Sequence, residues 1–320
     1  YNMGILEDLT DEFNAWDEKD VFSESVVKAM SMDGQVVAMP YEMSVRAFLV
    51  HEGDFEAAGM EVPATWEDLL NMEGYYDAQG KYPFEITGSG VRAAQELLVY
   101  LAQSGVEIAT LQEDGLYKNT WNENPDQLDK AAKVFQFYKD LIDKGIVNPS
   151  ARNWTWEETD ENLCTGLVSS HVSGNWLRNK ESQNPETMKD MGAYAIPYPE
   201  GSKPYTYMEC KPMFVFKDSK NKEGAVELMK AIAGKEWQEK VWAYGSPRSD
   251  VYSESIWSKG FSDIGAEGIS FPGVTLAGVT QAMNDSIAKV LQEGKTPQEA
   301  AAWLSDAVNA SLSDTGELSK

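Results

Sequence analysis

Short apolar runs alternate along this chain with longer segments of helical periodicity. The runs that predict strands lie at 36–39, 47–50, 84–86, 166–168, 194–196 and 213–216. The segments that predict helices in the last third lie at 222–232, 236–242, 279–291 and from Thr296 onward. Strands that alternate with helices are typical of an α/β fold. Because 320 residues exceed the usual size of one compact domain, we expect two lobes; the alternative is one large α/β domain.

Local signals mark where several of these elements begin and end. Pro40 separates the first two apolar runs, which predicts two strands and a change of chain direction at the proline. Thr65 precedes a helical segment with acidic residues in its first turn, and Thr296 begins the pattern of a capping box, so both are predicted helix N-caps. Apolar positions recur at helical spacing from Asp126 to Lys144, and we expect that helix to pack one face on a sheet.

The chain is strongly acidic. Its 52 acidic and 27 basic residues give a net charge of -25, which repels nucleic acid and anionic lipid surfaces. Nucleic acid is therefore not an expected partner, and we interpret the acidity as a solvated surface. No run approaches the roughly 18 apolar residues of a membrane span, and no signal peptide opens the sequence. Either an export signal lies outside this numbering or the protein stays inside the cell.

Cysteine and histidine give little indication of reactive chemistry. Cys164 and Cys210 form no Cys-x-x-Cys pair and have no histidine at metal-ligand spacing. They are either buried thiols or a disulfide. His51 and His171 lie in no metal motif and in no nucleophile elbow. We therefore predict no metal, no cofactor and no catalytic residue.

Several motifs, in order, resemble those of a known family. The most specific lie at 33–41 and 55–69, and the second contains Pro63, Thr65 and Trp66 in a proline-x-threonine-tryptophan stretch. Further matching motifs lie at 166–168, 174–176, 196–201, 219–225, 245–248 and 296–300. Together they resemble the family 1 extracellular solute-binding proteins, the sugar receptors of ABC importers, which include the maltose-binding protein type. The resemblance departs from the family where His51 and Glu52 replace an asparagine-lysine pair, and the family's opening elements are missing before Tyr1.

The resemblance implies a two-lobed, type II periplasmic-binding-protein-like fold with a ligand cleft between the lobes and a helical C-terminal region. We place the first lobe at 1–42 plus 211–246 and the second at 43–210 plus 247–320. The implied function is capture of a sugar or oligosaccharide by hinge closure, without catalysis, for delivery to an ABC transporter permease. The implied protein is an extracellular monomer, either lipid-anchored to the cell surface or periplasmic.

A sugar presents an apolar face of C–H groups ringed by hydroxyls, so its site needs aromatic rings beside polar side chains. The resemblance places a sugar-stacking tryptophan at Trp176, next to Asn175; the alternative is a ring packed against its own lobe. Trp154 and Trp156 are further candidates, although their spacing beside Glu157 also fits an edge strand.

The remaining candidate ligand contacts come from turns and strand ends. Each has a structural alternative, such as a hinge at Pro40 or a plain turn near Gly245. Arg92 lies at a helix start after a glycine turn whose G-x-G-x-x-A pattern lacks the other marks of a dinucleotide site. The candidates are Tyr41, Glu42, Arg92, Tyr207, Glu209, Tyr244 and Arg248.

Two other functions remain open at this stage. The acidic stretch from Glu157 to Glu161, beside two tryptophans, would suit a carbohydrate-active enzyme of the glycosidase type. Alternatively, Arg92 or Arg248 would pair with the carboxylate of a charged small molecule.

Overall fold

The computed structural model describes residues 1, 3–261 and 263–320. Its helices are α1 (Thr10–Asn14), α2 (Glu24–Ala29), α3 (Glu52–Ala58), α4 (Trp66–Leu70), α5 (Tyr75–Gln79), α6 (Val91–Gln103), α7 (Pro125–Asp143), α8 (Trp156–Cys164), α9 (Lys222–Ala233), α10 (Lys235–Val241), α11 (Leu276–Leu291) and α12 (Pro297–Asp314). Its strands are β1 (Ser31–Met32), β2 (Gln35–Val36), β3 (Met39–His51), β4 (Thr110–Leu111), β5 (Tyr117–Lys118), β6 (Ser170–Gly174), β7 (Met191–Tyr194), β8 (Tyr205–Met213) and β9 (Glu267–Ile269).

The chain divides into two compact units. Unit 1 comprises Tyr1–Val45 and Met208–Asp263, and unit 2 comprises Arg46–Tyr207 and Ile264–Lys320. Residues 247–263 thus group with unit 1, whereas the sequence boundaries placed them in the second lobe. Part of the reason is that the Arg248 side chain is buried in unit 1, where its Nη1 donates to the carbonyl oxygen of Ala233, 3.0 Å away.

In unit 1, the first part of β3 pairs antiparallel with β8, from Met39 opposite Met213 to Val45 opposite Met208. The predicted change of direction at Pro40 is wrong, because β3 continues through the proline. Pro40 faces Pro212, and the register shifts between Pro40 and Glu42. A proline donates no ladder hydrogen bond, and this irregularity accommodates it without ending the strand.

In unit 2, the rest of β3 pairs antiparallel with β6 and with β7, so that Phe48 lies opposite both Val172 and Tyr194. Ala47, Phe48, Leu49 and Val50 are fully buried in this part of the strand. The predicted strands at 84–86 and 166–168 form only isolated bridges, Glu85 with His171 and Val168 with Tyr82. The strand β6 ends at Gly174, two residues before the tryptophan that the sequence singled out.

Helices make up much of the core of unit 2, and several of them begin as predicted. Thr65 caps α4 and Thr296 caps α12, each in a complete capping box. The predicted helix at 126–144 is α7, but it packs mainly on α12, α11 and α6 rather than on a sheet. Inside this core, the rings of Trp66 and Phe137 stack with centroids 4.2 Å apart. The long pair α11 and α12 confirms the predicted helical C-terminal region.

Candidate functional site

The backbone at the end of β6 brings Trp176 back over its own strand. After Gly174, residues Asn175–Lys180 form a 3-10 helix, and the indole of Trp176 lies against the α-carbon of Gly174. A Cβ atom at residue 174 would overlap ring carbons of Trp176. Glycine is therefore needed here for a close approach of the ring to the backbone.

Asp160, on α8, holds the polar edge of this indole. The Nε1 of Trp176 donates to Asp160 Oδ2 at 2.8 Å, and the Ser173 hydroxyl donates to Asp160 Oδ1 at 2.5 Å. The Nη1 of Arg92 lies 3.3 Å from Asp160 Oδ2. Since the Asp160 side chain is only 5% exposed, these donors compensate a buried charge.

Two guanidinium groups lie against the same indole. The Cζ of Arg92 is 3.9 Å from the ring centroid of Trp176 and 4.6 Å from that of Trp156. The Cζ of Arg46 is 4.4 Å from the Trp176 centroid and 5.3 Å from that of Tyr207. All four distances fall within the range of cation–π attraction. We call this group, which lies wholly in unit 2, the Trp176 cluster: Arg46, Arg92, Trp156, Asp160, Ser173, Trp176 and Tyr207.

Buried carboxyl groups lie beside the cluster. The Nη2 of Arg46 donates to Gln95 Oε1 at 2.9 Å, and the next residue, Glu96, accepts from the Tyr100 hydroxyl at 3.0 Å. Burial raises the pKa of Glu96 and of Glu85 to about 8. Near neutral pH both groups are therefore mainly protonated and uncharged.

His171 lies next to Asp160 in the fully buried strand β6. Its Nδ1 is 3.1 Å from the carbonyl oxygen of Glu85, which can only accept, so that nitrogen carries a proton. Its Nε2 lies 3.9 Å from Asp160 Oδ1. Burial lowers the pKa of His171, which favours a neutral ring.

The structure brings part of the predicted site together. The Trp176 cluster contains four of the predicted residues: Trp176, Trp156, Arg92 and Tyr207. Asn175, the residue before Trp176, is buried, and its carbonyl oxygen lies 3.4 Å from Arg178 Nη1.

Four other predicted residues lie in unit 1. The ring of Tyr41 contacts Trp242, with centroids 6.2 Å apart, and Glu42 pairs with Lys211 at 2.9 Å. Glu209 lies opposite Ser44 in the β3–β8 ladder. Tyr244 precedes Gly245, whose carbonyl oxygen accepts from the amide of Met43.

Two predicted ligand contacts lie outside the Trp176 cluster. The Arg248 side chain is 1% exposed, and its guanidinium lies 2.6 Å from Glu18 and 2.9 Å from Asp250. Trp154 packs against the core of unit 2, and its carbonyl oxygen accepts from the amides of Gly88 and Ser89. The Arg248 side chain is buried and we leave it out of the candidate site, whereas Trp154 is half-buried and stays a candidate outside the Trp176 cluster.

The carboxylates considered for a glycosidase are used by the fold. Trp156 begins α8 rather than an edge strand, and Glu158 completes the capping box with Thr155 at its start. Glu157 accepts from the Thr155 hydroxyl, and Glu161 pairs with Lys180 at 2.9 Å.

Sequence reasoning missed Arg46 and Ser173, and it considered Asp160 only as a hydrolytic carboxylate. One signal for Arg46 was present, because it directly precedes the apolar run at 47–50; the structure buries it to 6% exposure. Ser173 carries no such signal in the sequence.

The two cysteine thiols are poorly ionised near neutral pH. Cys164 and Cys210 are free thiols, and burial raises the pKa of each to about 12. Across the described residues, no cluster of His, Cys, Asp and Glu could hold a metal ion. No helix in residues 1, 3–261 and 263–320 combines the length and apolar character that a membrane crossing requires.

Comparison with known proteins gives matches in sequence and in structure. The sequence model described as bacterial extracellular solute-binding protein matches residues 1–261. Binding proteins of Brucella abortus and Brucella suis are 28% identical over 243 residues, which is 74% of this chain. The chain spans 56% of the length of these curated relatives.

The structural matches cover almost the whole chain. An ABC transporter solute-binding protein from Thermotoga lettingae, bound to α-D-tagatose, aligns with a TM-score of 0.77 and 20% identity over 97% of this chain and 81% of its own. The GacH receptor of Streptomyces glaucescens, studied with acarbose, aligns with a TM-score of 0.80 and 18% identity over 98% of this chain and 80% of its own. The sugar-binding protein MalE of Xanthomonas citri aligns with a TM-score of 0.80 and 16% identity over 98% of this chain and 81% of its own. These similarities confirm the predicted fold class.

Proposed function

The chain belongs to the bacterial extracellular solute-binding proteins, and from that premise we propose that it is a receptor that captures a sugar or an oligosaccharide and leaves it chemically intact. The family name places its members outside the cytoplasm. We further propose that the protein acts there as a monomer, lipid-anchored to the surface or periplasmic, and delivers its ligand to the permease of an ABC importer.

The observation that carries the proposal is the Trp176 cluster. Trp156 is 38% exposed and Trp176 is half-buried, so two indoles offer surface to a ligand in one unit. Arg92 lies against both rings, and its side chain is 22% exposed. Aromatic surface beside a multivalent hydrogen-bond donor matches a sugar's apolar face and hydroxyl rim. Several structural relatives carry tagatose, maltose or acarbose, which supports the same ligand class.

We expect a sugar from a panel of mono- and oligosaccharides to raise the melting temperature and to change tryptophan fluorescence. A ligand at 100 times its Kd adds about 2.7 kcal/mol of stability, which corresponds to a rise of about 5 °C. Trp176→Ala should weaken binding of that sugar by about 30-fold, since it removes a stacking surface. Analysis of the recovered sugar should show no hydrolysis.

Trp237→Ala is the matched control, because Trp237 is also an exposed tryptophan, at 45%, but lies on α10 of unit 1. It should bind the sugar as the wild type does. A panel in which no sugar shifts the melting temperature or the fluorescence would contradict the proposal, as would release of cleaved products.

A further inference from the structure

Asp160 differs from the surface carboxylates of its helix because its hydrogen bonds reach side chains outside the helix. It contacts Ser173 and Trp176, 13 and 16 residues later, and Arg92, 68 residues earlier. Glu158 and Glu161, by contrast, pair with the local cap and with a surface lysine. Asp160 therefore joins three separate segments of unit 2 at one carboxylate.

The contact with Trp176 fixes the orientation of the indole. An indole has a single hydrogen-bond donor, Nε1–H, and the bond to Asp160 Oδ2 at 2.8 Å anchors it. The close approach of the ring to Gly174 supplies a second restraint on another edge. A ring restrained at two points presents one defined surface, which a stacking site requires.

The contact with Arg92 fixes a donor beside that surface. Arg92 lies in the first turn of α6, where the helix dipole disfavours a cation. The carboxylate of Asp160, 3.3 Å away, offsets this and keeps the guanidinium 3.9 Å from the Trp176 ring centroid. One buried carboxylate thus fixes both the orientation of the stacking ring and the position of the neighbouring donor.

Stability alone is a poor explanation for this arrangement. Burying a carboxylate costs several kcal/mol, and buried ion pairs are often no better for stability than apolar residues of similar volume. What a charged acceptor supplies, and an apolar side chain does not, is direction: both Asp160 oxygens accept from specific donors.

We propose that Asp160 is the positioning residue of the sugar site: it holds Trp176 and Arg92 in the orientation that binds ligand. This role rests on the proposed function for its ligand, but the orientation of Trp176 is a property of the free protein. The two are therefore measured separately.

The test is Asp160→Asn, which keeps shape but leaves one acceptor oxygen and introduces a donor. Asparagine has one acceptor oxygen, so the contact with Ser173 is kept only if it reverses, with the amide donating to the hydroxyl, and the negative charge that strengthens the bonds to Trp176 and Arg92 is lost. In the free protein we expect altered acrylamide quenching and emission of tryptophan fluorescence. The difference should disappear when Asp160→Asn is made in a Trp176→Phe background.

With the sugar identified by the panel, Asp160→Asn should weaken binding at least 10-fold, as expected for loss of a charge-assisted hydrogen bond. In the Trp176→Phe background the same substitution should weaken binding by less, because the anchored N–H is already gone. Glu161→Gln is the matched control: it is the neighbouring residue in α8, its partner is the surface Lys180, and it should change neither quenching nor affinity.

Unchanged quenching and affinity in a folded Asp160→Asn protein would overturn the proposal, as would an equal loss of affinity in both backgrounds. If Asp160→Asn fails to fold, Trp176→Phe alone decides, because it keeps an aromatic ring and removes only the anchored N–H and part of the surface. Affinity within 2-fold of wild type would then contradict positioning through Nε1, and a loss above that would support it. Failure of the wild type to bind any sugar refutes the proposed function, while the quenching comparison still decides the role of Asp160.

Discussion

At the scale of single residues, Glu85 makes a measurable contribution to how stability depends on pH. It is fully buried, its Oε2 accepts from Asn162, and its Oε1 has no hydrogen-bond partner among the residues that the structure describes. Burial raises its pKa from 4.5 to about 8. The folded state thus binds a proton that the unfolded state has lost, so the contribution of Glu85 is full below about pH 4.5 and is lost as the pH rises to about 8.

We therefore predict that Glu85→Gln makes the free energy of unfolding less dependent on pH between 5 and 8. Each pH unit in that window costs the wild type up to about 1.4 kcal/mol through this group, and a neutral amide removes the cost. Urea unfolding at several pH values measures it, and the variant should be more stable than wild type at pH 8. Parallel pH profiles for the two proteins would contradict the prediction.

Single residues also show how much of the site can be predicted from the sequence. Trp176 was predicted from the family resemblance, which here is carried by a local motif, the Gly174-Asn175-Trp176 turn. Asp160 lies 16 residues away and Arg46 lies 130 residues away, and only folding places them against the ring. Arg248 shows the opposite case, since burial against Glu18, 230 residues earlier, removes a side chain that the sequence offered as a ligand contact.

At the scale of elements, helix starts follow from local chemistry and strands do not. The capping boxes at Thr65 and Thr296 need only four residues each, and both threonines were predicted N-caps. The strand β3 depends on partners at 170–174, 191–194 and 208–213, so its passage through Pro40 was not visible locally. For the same reason, apolar runs at 84–86 and 166–168 formed isolated bridges instead of strands.

The cap of α12 permits a direct test of this local control. The Thr296 hydroxyl accepts from the amide of Glu299 at 3.2 Å, and the Glu299 carboxylate accepts from the Thr296 amide at 2.8 Å. Thr296→Ala should lower the free energy of unfolding by about 1 kcal/mol, measured in urea. Thr280→Ala, within α11, is the control; its hydroxyl donates to the carbonyl oxygens of Leu276 and Ala277 in its own helix, and the substitution should cost less than about 0.5 kcal/mol. Equal losses for the two variants would show that the cap has no special role.

At the scale of the whole molecule, the charge of -25 opposes compactness. Surface pairs such as Lys130 with Asp126 attract, but each is worth about 0–1 kcal/mol, and 52 acidic residues against 27 basic ones leave a large excess without a basic counterpart. Salt screens both effects, shortening the Debye length from about 30 Å at 0.01 M to about 10 Å at 0.1 M. Repulsion acts over longer distances than contact pairs do, so screening should relieve it more.

We therefore predict that the melting temperature rises as NaCl is increased from about 0.01 to about 0.1 M, while the Kd for a neutral sugar stays constant. A neutral ligand has no net charge to be screened, whereas a carboxylate-bearing ligand paired with Arg92 would bind more weakly at the higher salt concentration. Thermal melts and sugar titrations over the same salt series measure both quantities. A melting temperature that falls with salt would mean that ion pairs outweigh the net repulsion, and a Kd for the neutral sugar that changes with salt would contradict the second part of the prediction.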